Sequence, residues 1–175
     1  MLARLSAGPR APGRFEGALR VTIAAVGRFG GGRGKGAGAR ALFDDYAGRL
    51  SIPLALKSCE EKRPLAVPER KRREAELLFK LVPKGALVVA LDWRGKTFSS
   101  ADFARLIESW RNRGIKDVCF LVGGADGLDD SALPKAALVL SLGPMTWPHL
   151  LVPVLLAEQL FRAESILAGH PYHRE

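Results

Sequence analysis

The residues of this chain that could do chemistry crowd into its last third. The chain ends HPYHRE at residues 170–175, so two rings and a guanidinium, those of Tyr172, His173 and Arg174, fall at three consecutive positions. A histidine can orient or deprotonate the imino nitrogen of a uracil-like ring, a tyrosine can stack on the base or hydrogen-bond to it, and an arginine grips a phosphate or carboxylate in bidentate fashion. A terminal His, Tyr or Arg is more often a solvated end. Here the apolar stretch at 149–168 anchors the tail and Pro171 stiffens it. Ahead of the tail lie three loops built from small residues: 92–96 with Gly95, 123–127 with three glycines, and 142–147 with Gly143, Pro144 and Thr146. Singly these read as ordinary turns. Together, at the ends of parallel strands, they make a pocket for a nucleotide-like ligand held by backbone groups.

The elements that must position these loops follow from the apolar pattern. Strands are expected at 19–26, 52–58, 86–91, 117–122 and 137–142, with Pro53 arguing for an edge position. Helices are expected at 39–50 (Leu42, Phe43, Tyr46, Leu50 on one face), 69–81 (Leu77, Leu78, Leu81), 99–113 (Phe103, Leu106, Ile107, Trp110) and 149–168. Ser99 or Ser100 caps the third of these and Gly114 stops it. The alternation predicts an α/β fold with a parallel sheet and helices on both faces, in one domain spanning 19–175. Beyond Pro83 it predicts three successive strand–loop–helix units whose loops share the carboxyl edge of the sheet. Residues 1–18, rich in Arg, Gly and Pro without apolar period, read as a disordered tail.

Bulk properties narrow the function. No apolar run approaches the ~20 residues that span a bilayer, which argues for a soluble, cytoplasmic protein with no membrane partner. Two cysteines make no disulfide framework, and three histidines at 149, 170 and 173 have no metal-ligand spacing, so no metal is expected. Residues 1–75 carry 16 Lys+Arg against 7 Asp+Glu, a net of +9, whereas residues 76–175 carry 11 of each. A one-sided basic surface suits a polyanion, nucleic acid above all. An arginine-rich solvated face has the same composition, and charge alone does not separate the two.

Several motifs carry a resemblance: VTIAAVG at 21–27, LDWRGKTFSS at 91–100, FLVGGADGL at 120–128, LGPMTWPH at 142–149, AEQLFRAESI from 157, and HPYHRE at the end. With them the chain resembles the bacterial large-subunit ribosomal RNA methyltransferase H family, the pseudouridine-N3 methyltransferases, a minimal branch of the SPOUT superfamily. The resemblance runs over residues 19–175. It implies a carboxyl-terminal trefoil knot and a homodimer. It also implies methyl transfer from S-adenosylmethionine to N3 of a pseudouridine in large-subunit ribosomal RNA within the assembled ribosome. The family's cofactor contacts match Leu91, Gly123, Leu142, Gly143, Pro144, Met145, Thr146 and Trp147. Its substrate side, built across the dimer interface, matches Tyr172, His173 and Arg174, with Arg162 as a further arginine near the substrate. His149 matches the family's PH, where a structural role at a helix start is expected. The family's LVRV reads LVPV here, so Pro153 replaces an arginine and is expected to kink or delay the last helix.

With no appended RNA-binding module, substrate grip is expected from the basic amino-terminal half, the tail and the partner protomer. Apolar residues on more than one face of 149–168, among them Leu150, Leu151, Val154, Leu155, Leu160, Phe161, Ile166 and Leu167, also call for a partner. Two rivals stand: a ribosome-associated RNA-binding protein without catalysis, and a dinucleotide-dependent oxidoreductase. The second rests on residues 36–41, which fit G-x-G-x-x-A but lie about nine residues past the strand end, too far for a dinucleotide fingerprint. Glu60 and Glu61 are the carboxylates spaced to grip its ribose. The 28–41 loop reads better as a flexible basic loop offering Arg28, Arg33, Lys35 and Arg40 to RNA phosphates.

Overall fold

The computed structural model describes residues 19–29 and 36–172. Its five strands are β1 (Arg20–Val26), β2 (Leu54–Cys59), β3 (Leu87–Lys96), β4 (Asp117–Val122) and β5 (Leu138–Leu140). All pair in parallel, in the order β2-β1-β4-β3-β5. Pro53 enters β2, which is an edge strand as expected, and its carbonyl still accepts from Val21 N at 2.9 Å. β3 runs past its apolar core. Its register against β5 is interrupted between Leu91 and Lys96, both of which face Leu140. The polar extension 92–96 is held by the chain beside it: Ser141 N donates to Lys96 O at 3.0 Å. A Cβ on Gly95 would stand 2.6 Å from the Val139 carbonyl, so only glycine lets the two segments pass this closely.

Helices α1 (Ala37–Arg49), α3 (Ser100–Asn112) and α4 (Val152–Leu167) cover one face of the sheet, and α2 (Val67–Leu81) covers the other. Between β4 and β5 the chain makes only a 3-10 helix, Asp130–Lys135 with Pro134 inside it, so the second of the three expected strand–helix units lacks its α-helix. The larger core centres on Phe120, whose ring packs against Phe103 and Trp110 at 6.5 and 6.4 Å between centroids. Tilted aromatic pairs of this kind add about 0.5–1.5 kcal/mol each beyond burial. Ser99, not Ser100, caps α3, its hydroxyl accepting from Asp102 N at 3.1 Å, and Gly114 ends the helix region at φ +72°.

Pro153 delays α4 without kinking it. It falls in the first turn, where a missing N–H leaves no intrahelical bond unmade, and residues before it form a turn closed by Leu151 N to Pro148 O at 2.8 Å. The helix therefore starts at Val152 and not at 149. It is flanked by α1 on one side and α3 on the other, so the chain itself covers much of the apolar surface that the sequence assigned to a partner. Among the described residues no helix is long and apolar enough to cross a membrane.

Candidate functional site

A parallel sheet gathers every loop that follows a strand onto one edge. Over β4, β3 and β5 these loops enclose a cleft of about 750 Å³, within the 300–1,000 Å³ usual for small-molecule sites. Leu91 stands within β3 where its register against β5 breaks, Gly123 follows β4, and Leu142, Gly143, Pro144, Met145, Thr146 and Trp147 follow β5; all eight line this one cleft. Residues separated by some fifty positions thus meet because their strands end side by side.

The loops are held by local bonds. Residues 123–128 double back, with Gly127 N donating to Gly124 O at 3.0 Å and Gly127 at φ +78°. A Cβ on Gly123 would lie 2.5 Å from the Gly127 carbonyl carbon and 2.6 Å from Leu128 N. The sequence suggested that glycine here makes room for a ligand. What it makes room for is the return of its own loop. Gly143 differs: at φ +104° it has no atom within 4 Å of the place a Cβ would take. Its N–H donates to the Ser141 hydroxyl at 3.2 Å, and that hydroxyl lies 3.3 Å from the Gly143 carbonyl. On the β3 side, Arg94 N and Nε donate to Asp92 at 2.9 and 2.8 Å and Nη2 reaches Asp130 at 2.8 Å, tying the turn to the 3-10 helix. The Arg94 guanidinium holds the Asp92 carboxyl below the usual range, against an opposing effect of burial. Trp93, Met145 and Trp147, exposed by 79, 67 and 37%, form an apolar rim.

Sequence reasoning missed the groups that clamp the glycine loop. Arg70 of α2 pairs with Asp126, and Glu74, one turn on, is buried with its carboxylate 3.1 Å from where a Cβ on Gly124 would stand. Burial pushes the Glu74 carboxyl up, with Arg70 opposing. No spacing announces these contacts, since they bridge some fifty residues; the one signal was an aspartate set between glycines. His149 was expected at a helix start. It sits instead in the turn before α4, lines the cleft and lies against Gly27, whose Cβ would come within 3.3 Å of its Nε2.

The second group of candidates lies elsewhere. Arg162 Nε and Nη2 donate to Glu158 Oε1 at 2.9 and 2.5 Å, and the Arg162 guanidinium stands 5.0 Å from the centre of the Tyr172 ring. Tyr172 meets Phe161 edge-on at 4.7 Å and donates to Glu158 Oε1 at 3.2 Å. Burial, then Tyr46 and Glu158, push the Tyr172 phenol up to about 12, so near neutral pH it is a donor and not a base. None of Glu158, Arg162 and Tyr172 lines the cleft. Arg162 lies ten residues, about 15 Å of helix, beyond the end of α4 that touches it. His173 and Arg174 lie outside the described residues.

The dinucleotide reading finds no support in these contacts. Gly36 opens α1 as its N-terminal neighbour at φ +97°. Glu60 pairs with Arg28 at 2.8 Å, and Glu61 with Arg63 at 2.9 Å. The hydrogen bonds from Arg63 bring the Glu61 carboxyl down to about 2. Both carboxylates are thus committed to arginines.

Comparison with known proteins bears on the same residues. Residues 19–173 match the family described as "Predicted SPOUT methyltransferase". The chain is 55% identical to the ribosomal RNA large subunit methyltransferase H of Paramagnetospirillum magneticum and 51% identical to that of Rhodospirillum centenum. Each match covers 89% of this chain and 99% of the relative. Among solved structures, a probable methylase family protein from Haemophilus influenzae Rd KW20 superposes with a TM-score of 0.50 at 12% identity, over 90% of this chain and 70% of that one, a likeness of fold alone.

Proposed function

The chain belongs to the SPOUT methyltransferases and, within them, to the large-subunit ribosomal RNA methyltransferase H family, and from that premise we propose that it methylates N3 of a pseudouridine in 23S ribosomal RNA of the assembled ribosome, with S-adenosylmethionine as donor. The observation that carries the reading is the cleft: the eight residues matched to the family's cofactor contacts line one cavity of suitable size. Backbone N–H and C=O groups of 142–147 are available to read an adenine edge, and Leu91, Leu142 and Met145 to pack on its ring. When bound, the sulfonium supplies an already activated methyl group. What the protein must add is alignment and a deprotonated acceptor, for which a metal is not required. Among the described residues no His, Cys, Asp and Glu side chains gather as a metal-ligand set.

The acceptor side belongs to the tail. His173 takes or orients the imino proton, Arg174 grips a phosphate or carboxylate, Arg162 stands near the substrate, and Tyr172 positions the base. Because Tyr172 and Arg162 stand away from the cleft of their own chain, the reading includes a homodimer in which the tail of one protomer serves the cleft of the other. It includes the trefoil knot as well, and a cytoplasmic location beside ribosomes.

The test is mass spectrometry of 23S ribosomal RNA from a deletion strain, followed by incubation of its ribosomes with purified protein and S-adenosylmethionine. The expected result is one pseudouridine lacking its methyl group in the strain and regaining it in vitro. Unchanged ribosomal RNA would overturn the reading; calorimetric binding of S-adenosylmethionine separates an enzyme from a purely RNA-binding protein. Within the cleft, Gly123→Val is expected to abolish cofactor binding by breaking the 123–128 turn, with a fall in melting temperature. Thr146→Trp, on the exposed stretch of the neighbouring loop, is expected to lower cofactor affinity at least about tenfold, ~1.4 kcal/mol, with the melting temperature unchanged. Wild-type affinity in Thr146→Trp would displace the cofactor from this cleft.

A further inference from the structure

We propose that the RNA backbone is gripped at one flank of the sheet's carboxyl edge, where Lys62, Lys71 and Arg72 bind phosphates flanking the target nucleotide; this rests on the ribosomal RNA reading above. The strand order divides that edge in two. The cleft occupies the side over β4, β3 and β5, and the loops after β2 and β1 occupy the other. Charge divides the same way. Residues 57–73, which run from the end of β2 into the first turns of α2, hold seven Lys and Arg against three Glu. The loops around the cleft, 92–99, 123–130 and 141–151, hold two cations against four Asp.

Four cations at the flank are already committed. Arg28 pairs with Glu60, Arg63 with Glu61, Arg73 with Glu61 and Glu76, and Arg70 with Asp126. These pairs fix the 60–66 connection to α2 and α2 to the cleft's glycine loop. They leave Lys57 on β2, and beyond it Lys62, Lys71 and Arg72 in the connection and the first turns of α2; none of the four makes an ion pair among the described residues, and the last three stand on a scaffold that is already ordered. The Asp129 carboxyl is lowered first by the Ser131 hydroxyl and then by the charges of Arg72 and Lys71, and Lys71 adds to the effect of Arg94 on Asp92, which lines the cleft. A substrate whose modified base sits in the cleft must lead its backbone out along the edge. The acidic side repels phosphates and the basic side attracts them, so charge sets the direction of exit.

The experiment compares two variants of the full chain with equal loss of charge. Lys62→Gln/Lys71→Gln/Arg72→Gln removes the flank. Lys80→Gln/Lys84→Gln/Lys116→Gln removes three lysines at the far end of α2 and the opposite edge, where strands begin. Methylation is measured against ribosome concentration at several salt concentrations, with cofactor affinity by calorimetry and direct binding to a ribosomal RNA stem-loop. Each lost phosphate contact reduces the slope of log affinity against log salt by roughly 0.7–0.9, so the flank variant, short of three, is expected to lose roughly 2.1–2.7 units of slope. Its KM for ribosomes should rise at least about tenfold at 100 mM salt, with kcat and cofactor affinity kept, and the control should match the parent. An unchanged slope in the flank variant, or an equal loss in the control, would overturn the proposal. So would weakened binding to ribosomes with unaltered binding to the stem-loop, which would assign the flank to an acidic ribosomal protein. If the parent methylates no ribosomes, the functional reading fails, and the stem-loop slopes still decide the flank.

Discussion

Removing residues 172–175 is expected to lower single-turnover methylation of ribosomes at least about a hundredfold while cofactor affinity stays near that of the full chain. The two effects separate because the cleft is built from loops at 91–97, 122–127 and 140–152, none of which touches the tail's anchor. That anchor is Tyr172 on Phe161 and Glu158. The Glu158–Arg162 pair lies within α4 and survives truncation. A misplacement of about 1 Å at a reacting centre can cost on the order of a hundredfold in rate, and losing the positioning groups altogether costs no less. Single substitutions divide the roles. His173→Ala and Arg174→Ala should each slow turnover. The alanine variant of His173 should recover partly as pH rises, since alkali ionises the imino nitrogen without help. Tyr172, with its phenol near 12, stays protonated over that range and so does not mimic the rescue. Full activity after truncation would remove the tail from catalysis. Loss of cofactor binding together with activity would make the tail a structural clamp.

How far the residues themselves foretold this arrangement depends on whether the determinant is local. β4 matches its expected bounds because an apolar run is bounded by Asp117 before it and Gly123 after it. The cleft was legible for a related reason: glycines at strand ends announce loops, and a parallel sheet brings such loops together. β3 was read short because residues 92–96 are polar, and what extends the strand is a neighbour more than forty positions away. Gly123 lines the cleft, but its glycine is required by its own returning loop, since close approach can come from ligand or from chain, and only the fold decides which. Arg70 with Asp126, Arg94 with Asp130, and Glu74 beneath Gly124 leave no periodic trace because each partner is chosen by the fold. The apolar excess of α4 pointed to a partner protomer. The flanking helices α1 and α3 absorb much of it, so the case for a dimer now rests on the distance between cleft and tail.

That distance yields the strongest test of how the site is assembled. A protein defective in the cleft, Thr146→Trp, assayed at cofactor concentrations well below its dissociation constant, and a protein lacking residues 172–175 should each be nearly inactive as a pure homodimer. Dissociated, mixed in equal amounts and reassociated, they should regain about a quarter of parental activity. Random pairing in a two-fold dimer makes half of the dimers mixed, and in each mixed dimer one of two sites combines an intact cleft with an intact tail. Recovery requires the tail to reach across the interface. If the tail instead folded back to the cleft of its own chain, every chain in the mixture would carry one lesion in its own site, and mixing would restore nothing. The geometry favours exchange. Tyr172 is held against Phe161 and Glu158, on α4 beyond the cleft, and neither it nor Arg162 lines that cleft. Activity near a quarter identifies a composite site, and absence of recovery in a mixture shown by sedimentation to contain mixed dimers would confine the reaction to a single chain.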